Sequence, residues 1–124
     1  MYRALVFLLL LSGSAWGHEF TPTYPELKQS HVPGLLWVRM YLFNSRQDIS
    51  YYELGVFDEN WNTLDFTPAK KILEVNYLEK KEIDIFIRAK DARRITYICS
   101  TSKILRSQMT PSAVASRICS KVKQ

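Results

Sequence analysis

Two cysteines, two histidines and four glycines are all that 124 residues offer of the types on which most metal and phosphate chemistry relies. Cys99, Cys119, His18 and His31 stand without CxxC or HxxxH spacing, so a tetrahedral zinc site has no ligand pattern to rest on. Past residue 17 only Gly34 and Gly55 remain, which leaves no glycine-rich phosphate loop, and neither histidine is placed for a serine-histidine-aspartate constellation. The sequence therefore points to neither an enzyme nor a cofactor. Long apolar runs are also missing. The longest, residues 4–11, is well short of the roughly 20 residues a membrane-spanning helix needs. Acidic residues stop at Asp91.

What is present begins with a leader. MYRALVFLLLLSGSAWG carries one early cation at Arg3, the apolar run, and small residues at Ala15 and Gly17, which is the pattern of a signal peptide cleaved before His18. The reading is a secreted or periplasmic chain, with residues 1–17 as signal peptide and 18–124 as one domain without a transmembrane segment. In an exported chain an even cysteine count favours a disulfide, here between Cys99 and Cys119. A catalytic thiol would need a neighbouring base, and none is visible.

Periodicity sets the architecture. LWVRMYLF (36–43) alternates Leu36, Val38, Met40 and Leu42 against Trp37, Arg39, Tyr41 and Phe43, and the run from Tyr51 alternates Tyr52, Leu54 and Val56 against Tyr51, Glu53, Gly55 and Phe57. Residues 44–48 read as the turn between these two strands. KEIDIFIR sets Ile83, Ile85 and Ile87 on one face. ITYICS and AVASRICSKV supply the last two strands. A short strand is expected at 64–66, and 70–78 fits a helical turn nearly as well as an edge strand, with strand preferred. About seven short strands with frequent turn signals and no long helix predict an all-β immunoglobulin-like antiparallel sandwich, with some other small β-barrel as the alternative. The disulfide would then join the last two strands. Tyr97, two residues before Cys99, sits where a corner tyrosine would.

On these residues the chain resembles the amino-terminal domain of periplasmic chaperones for pilus and fimbrial assembly. The similar features are the leader, the strand ending in LFNSRQD, the strand KKEIDIFI with its basic pair and alternating isoleucines, and a long penultimate hairpin bracketed by cysteines, as in the long-loop subclass. The family's second domain is not found in the residues to Gln124, and its arginine-bearing first strand is not evident in HEFTPTYPELKQS. The resemblance implies a non-enzymatic, chaperone-like or surface-assembly component whose partner is a protein such as a pilus-like subunit or envelope component. A structural or adhesive protein of a cell or virion surface is the alternative.

Two surface features bear on that function. Net charge is +5, yet Arg93, Arg94, Lys103, Arg106, Arg117, Lys121 and Lys123 stand without acids beyond Asp91, which reads as one basic hairpin surface. Such a surface suits an acidic partner, or it serves to discourage unwanted strand pairing; nucleic acid is not expected. The weak alternation of residues 113–122 suits an edge strand, so that Val114, Ser116, Arg117, Ile118 and Lys121 are expected to meet a visiting strand. Trp37, Tyr41, Phe43, Tyr51 and Phe57 would form an outward aromatic surface. Finally, a histidine at a new amino terminus can chelate copper, with His18 and His31 as the candidate nitrogens.

Overall fold

The computed structural model describes residues 17–68, 71–104 and 115–124. Among these residues eight strands build two antiparallel sheets: β1 (His18–Thr21), β2 (Lys28–Gln29), β3 (Leu35–Asn44), β4 (Tyr51–Phe57), β5 (Ile72–Glu74), β6 (Lys80–Arg88), β7 (Tyr97–Lys103) and β8 (Arg117–Lys121). In the first sheet β1 and β2 pair in succession along one side of β3, and β6 pairs along the other. The second sheet has the order β5-β4-β7-β8. This is the expected immunoglobulin-like sandwich. All of the expected leader but Gly17 lies outside the described residues, and among those that are described no helix is long and apolar enough to cross a membrane.

The two-residue period of the sequence is what fills the space between the sheets. Val38, Met40 and Leu42 of β3 and Ile83, Ile85 and Ile87 of β6 face Tyr52, Leu54 and Val56 of β4 and Ile98 of β7. Each such side chain contributes about 1.5–3 kcal/mol on leaving water, and a slip of one residue would turn every one of them outward. Register is therefore fixed by burial.

Four features depart from the sequence reading. The expected strand at 64–66 does not form: bridges from Thr63 to Phe57 and from Thr67 to Phe86 make this segment a crossover from one sheet to the other. The strand preferred over 70–78 does form, but among the described residues it spans only the three residues of β5, and the chain then turns through Leu78 at a φ of 63°. The first strand is divided. After Thr21 it leaves β3, and the Thr23 and Pro25 carbonyls accept the Lys121 and Lys123 N–H groups at 3.0 and 2.9 Å before β2 returns to β3.

The fourth departure is Asn44, which is a buried hub rather than a turn residue. Its amide donates to the Ile49 and Val75 carbonyls at 2.7 and 2.9 Å, while its oxygen accepts the Arg46 N–H at 2.9 Å and the Tyr52 hydroxyl at 2.5 Å. All of its hydrogen-bonding capacity is used, which is why a polar amide is tolerated at 0% exposure. Burial pushes the Tyr52 phenol up to about 12, so it stays a donor. Arg46 closes the turn with a two-pronged pair to Asp48 at 2.9 and 2.7 Å.

Candidate partner-binding edge and adjoining cleft

β8 ends its sheet, and its register decides which backbone groups are open. Ser102 N–H donates to Ser116 O at 2.8 Å and Val122 N–H to Thr96 O at 2.9 Å, so the even-numbered residues of β8 bond to β7 and the odd-numbered ones point off the edge. Lys121 and Lys123 give their N–H groups to the divided first strand. Arg117 and Cys119 meet no backbone group on that side among the described residues. Among the described residues of β8 the open edge is thus 117–119 of the 113–122 expected, and Val114 lies outside the described residues.

Cys99 and Cys119 face each other across β7 and β8 with Cα atoms 4.1 Å apart, and they are joined. That is the close, non-hydrogen-bonded type of pair, where side chains on neighbouring strands come nearest. The closed loop is worth about 3 kcal/mol by chain entropy. The bond also fixes β8 in register at one end of its open stretch.

Beneath the edge, His18 ties the first strand to the second sheet. Its Nε2 lies 3.0 Å from Ser100 Oγ and its Nδ1 3.1 Å from Ser116 Oγ, with the ring 4.7 Å from that of Tyr52. Burial pushes the imidazole below its ordinary pKa, the charge of Arg46 adds to this, and bonding to Ser100 opposes it. Ser116 also donates its N–H to Ser102 Oγ at 2.7 Å. Ser116 and the half-buried Ile118 therefore belong to the interior side of β8 and support the edge from below.

The copper pairing is not brought together. His18 pairs with Asn44 at one end of β3, and His31 follows Ser30, which bonds to Leu35 at the other end. Nine residues of strand separate these points by about 30 Å. Among the described residues no group of three or more potential ligands could hold a metal.

The outer face of the second sheet carries a cation–aromatic cluster. The guanidinium of Arg117 lies 4.7 Å from the Phe57 ring centre and 5.0 Å from that of Trp61. Since neighbouring strands are about 4.8 Å apart, this head group has reached back across β7 to β4. Arg117 is thus a charge of the sheet face, although its backbone belongs to the edge. Trp61 stacks on Tyr97, centres 4.2 Å apart and planes within 3°. Tyr97 is accordingly a surface stacking partner, not a corner tyrosine. The turn that delivers Trp61 is folded by Asp58, whose carboxylate accepts the Asn60 and Asn62 N–H groups at 2.9 and 2.8 Å. Those N–H groups, Asn62 foremost, hold its carboxyl below the usual range.

Gly55 makes the Phe57 position possible. A Cβ there would stand 2.7 Å from the Phe57 ring, which folds back along its own strand. Between this ring and Phe66 opens a cleft of about 310 Å³, bounded by Glu53, Lys71, Lys103 and Arg117. Lys71 lies over the Phe66 ring at 5.3 Å, and Lys103 pairs with Glu53 at 2.5 Å.

The remaining expected residues do not form single surfaces. Arg93 and Arg94 are exposed before the start of β7, Arg94 pairing with Asp91 at 3.5 Å, whereas Lys103 is at the far end of that strand, about 20 Å away. Arg106 lies outside the described residues. The basic hairpin surface is therefore two groups at opposite ends of β7, with exposed Lys121 beside the first. The aromatic set also divides: Trp37, Tyr41 and Phe43 lie on the outer face of the first sheet, Tyr51 and Phe57 on that of the second. All five are half-buried, Arg39 covering Trp37 at 5.4 Å and Lys80 covering Tyr41 at 5.0 Å.

Sequence reasoning overlooked Trp61, Phe66 and Lys71. They come from irregular segments, where no period marks a face. A glycine inside the strand pattern at Gly55 was the available signal of a close approach. Neither the protein-family models nor the curated proteins compared with this chain give a match, so function is argued from the edge and the cleft themselves.

Proposed function

We propose that the chain is an exported binding domain that takes up an extended segment of a partner protein as an added strand along residues 117–119 of β8, in a chaperone-like or surface-assembly role. The observation that carries this is the backbone of Arg117 and Cys119, open among the described residues, at a sheet edge held in register by a disulfide. Unpaired N–H and C=O groups in a row are the template for strand addition. The leader-like first 17 residues and the disulfide support an oxidising, exported setting.

A structural role draws on a second observation. The same sheet has another edge at β5, where Ile72 is 53% exposed, so copies could join β8 to β5 head to tail.

The test is affinity capture from an exported-protein fraction with three baits: wild type, Arg117→Ala and Arg117→Pro. Proline removes an outward N–H without touching the ladder to β7. Proteins retained by wild type and Arg117→Ala but lost by a folded Arg117→Pro support strand addition. Equal retention by all three contradicts it, and retention of this chain alone favours self-assembly.

A further inference from the structure

The cleft on the outer face of the second sheet offers chemistry that the edge does not use. We infer that it is a carboxylate-binding site. Its polar lining is dominated by donors: the Arg117 guanidinium, the Lys71 and Lys103 ammonium groups and the Thr101 hydroxyl, with Glu53 as the one acid among its lining residues. Glu53 is taken by Lys103 at 2.5 Å. Arg117 and Lys71 have no acidic partner among the described residues; each lies instead over an aromatic ring, at 4.7 Å from Phe57 and 5.3 Å from Phe66.

Those rings fix the position of the cations without neutralising them. An aromatic bed is weakly attractive and restrains a long side chain, so a ligand arriving there has less disorder to remove. A guanidinium carries five N–H donors in a planar fork that matches the two oxygens of a carboxylate, and a ring beneath it takes up none of them as a charged partner would. Because the cations already cover the faces of Phe57 and Phe66, flat stacking of an aromatic ligand is disfavoured. A volume of about 310 Å³ suits a small organic acid or one acidic side chain. The site does not depend on strand addition, since the Arg117 head group has turned away from the edge it belongs to.

Amide and arginine side-chain NMR of the isotopically labelled protein tests this, with glutarate, inorganic phosphate and a capped peptide bearing one glutamate as probes. Saturable shifts at Gly55, Thr101 and the Arg117 side chain are expected with glutarate or the peptide. Binding should weaken about fivefold or more in Arg117→Gln and in Lys71→Gln, the size of a charged pair partly held by its surroundings. The tighter of glutarate and peptide identifies the source, a free acid or a protein partner. Shifts that do not saturate, that persist unchanged in both variants, or that favour phosphate over both carboxylates overturn the assignment. Since Arg117→Gln keeps its backbone N–H, capture of an edge partner by that variant separates failure of the cleft from failure of the edge.

Discussion

Replacing Asn44 by alanine removes one side chain and strands four groups. The Ile49 and Val75 carbonyls lose their donor, and the Tyr52 hydroxyl and Arg46 N–H lose their acceptor. Tyr52 and Val75 are at 0% exposure and Ile49 at 1%, so bulk water does not reach them in the intact fold. An unsatisfied buried polar group costs about 1–3 kcal/mol, and four of them set an upper range that water entering the vacated space will reduce. The expected loss is about 3–5 kcal/mol, a large part of the stability of a domain this size. Urea denaturation of the oxidised protein reads it, with the slope unchanged if the unfolded state is unaffected. A loss below about 1 kcal/mol would refute the reasoning, because it would mean that these groups find other partners at little cost.

Two further outcomes follow from the site. His18 is held below its ordinary value of 6.5, so the unfolded chain binds the proton more readily; stability should be full above about pH 6.5 and fall as pH drops through the lower folded value, and His18→Gln should remove that slope, as measured by thermal denaturation against pH. Gly55→Ala places a methyl group 2.7 Å from the Phe57 ring and should cost about 1–3 kcal/mol while displacing the bed of Arg117, which a urea titration together with the arginine side-chain resonance would report.

The regular strands were legible because burial on one face imprints a period of two, as Ile83, Ile85 and Ile87 show. The disulfide was legible because the compartment expected from the first 17 residues favours oxidised cysteines and two cysteines allow one pairing. The divided first strand was not: HEFTPTYPELKQS has no clean alternation, since its residues serve β3 and then β8 in turn. That switch is what shortens the open edge. Asn44 looks like a turn former in sequence, and only the convergence of three segments shows that its polarity is satisfied in the interior. The cleft escaped notice for a related reason. Lys71, Phe66 and Arg117 are far apart along the chain, and a long arginine can carry its charge two strands away from its Cα, so charge in sequence does not locate charge in space.

The claim that partners add to the open stretch of β8 is tested most directly by amide hydrogen exchange. In the free protein the Cys119 N–H, which points off the edge, should exchange quickly, whereas that of Ser120, directed into the ladder with β7, should be protected. With the captured partner bound, Cys119 should become protected to a similar degree. Fast exchange at Cys119 in a saturated complex would contradict the account.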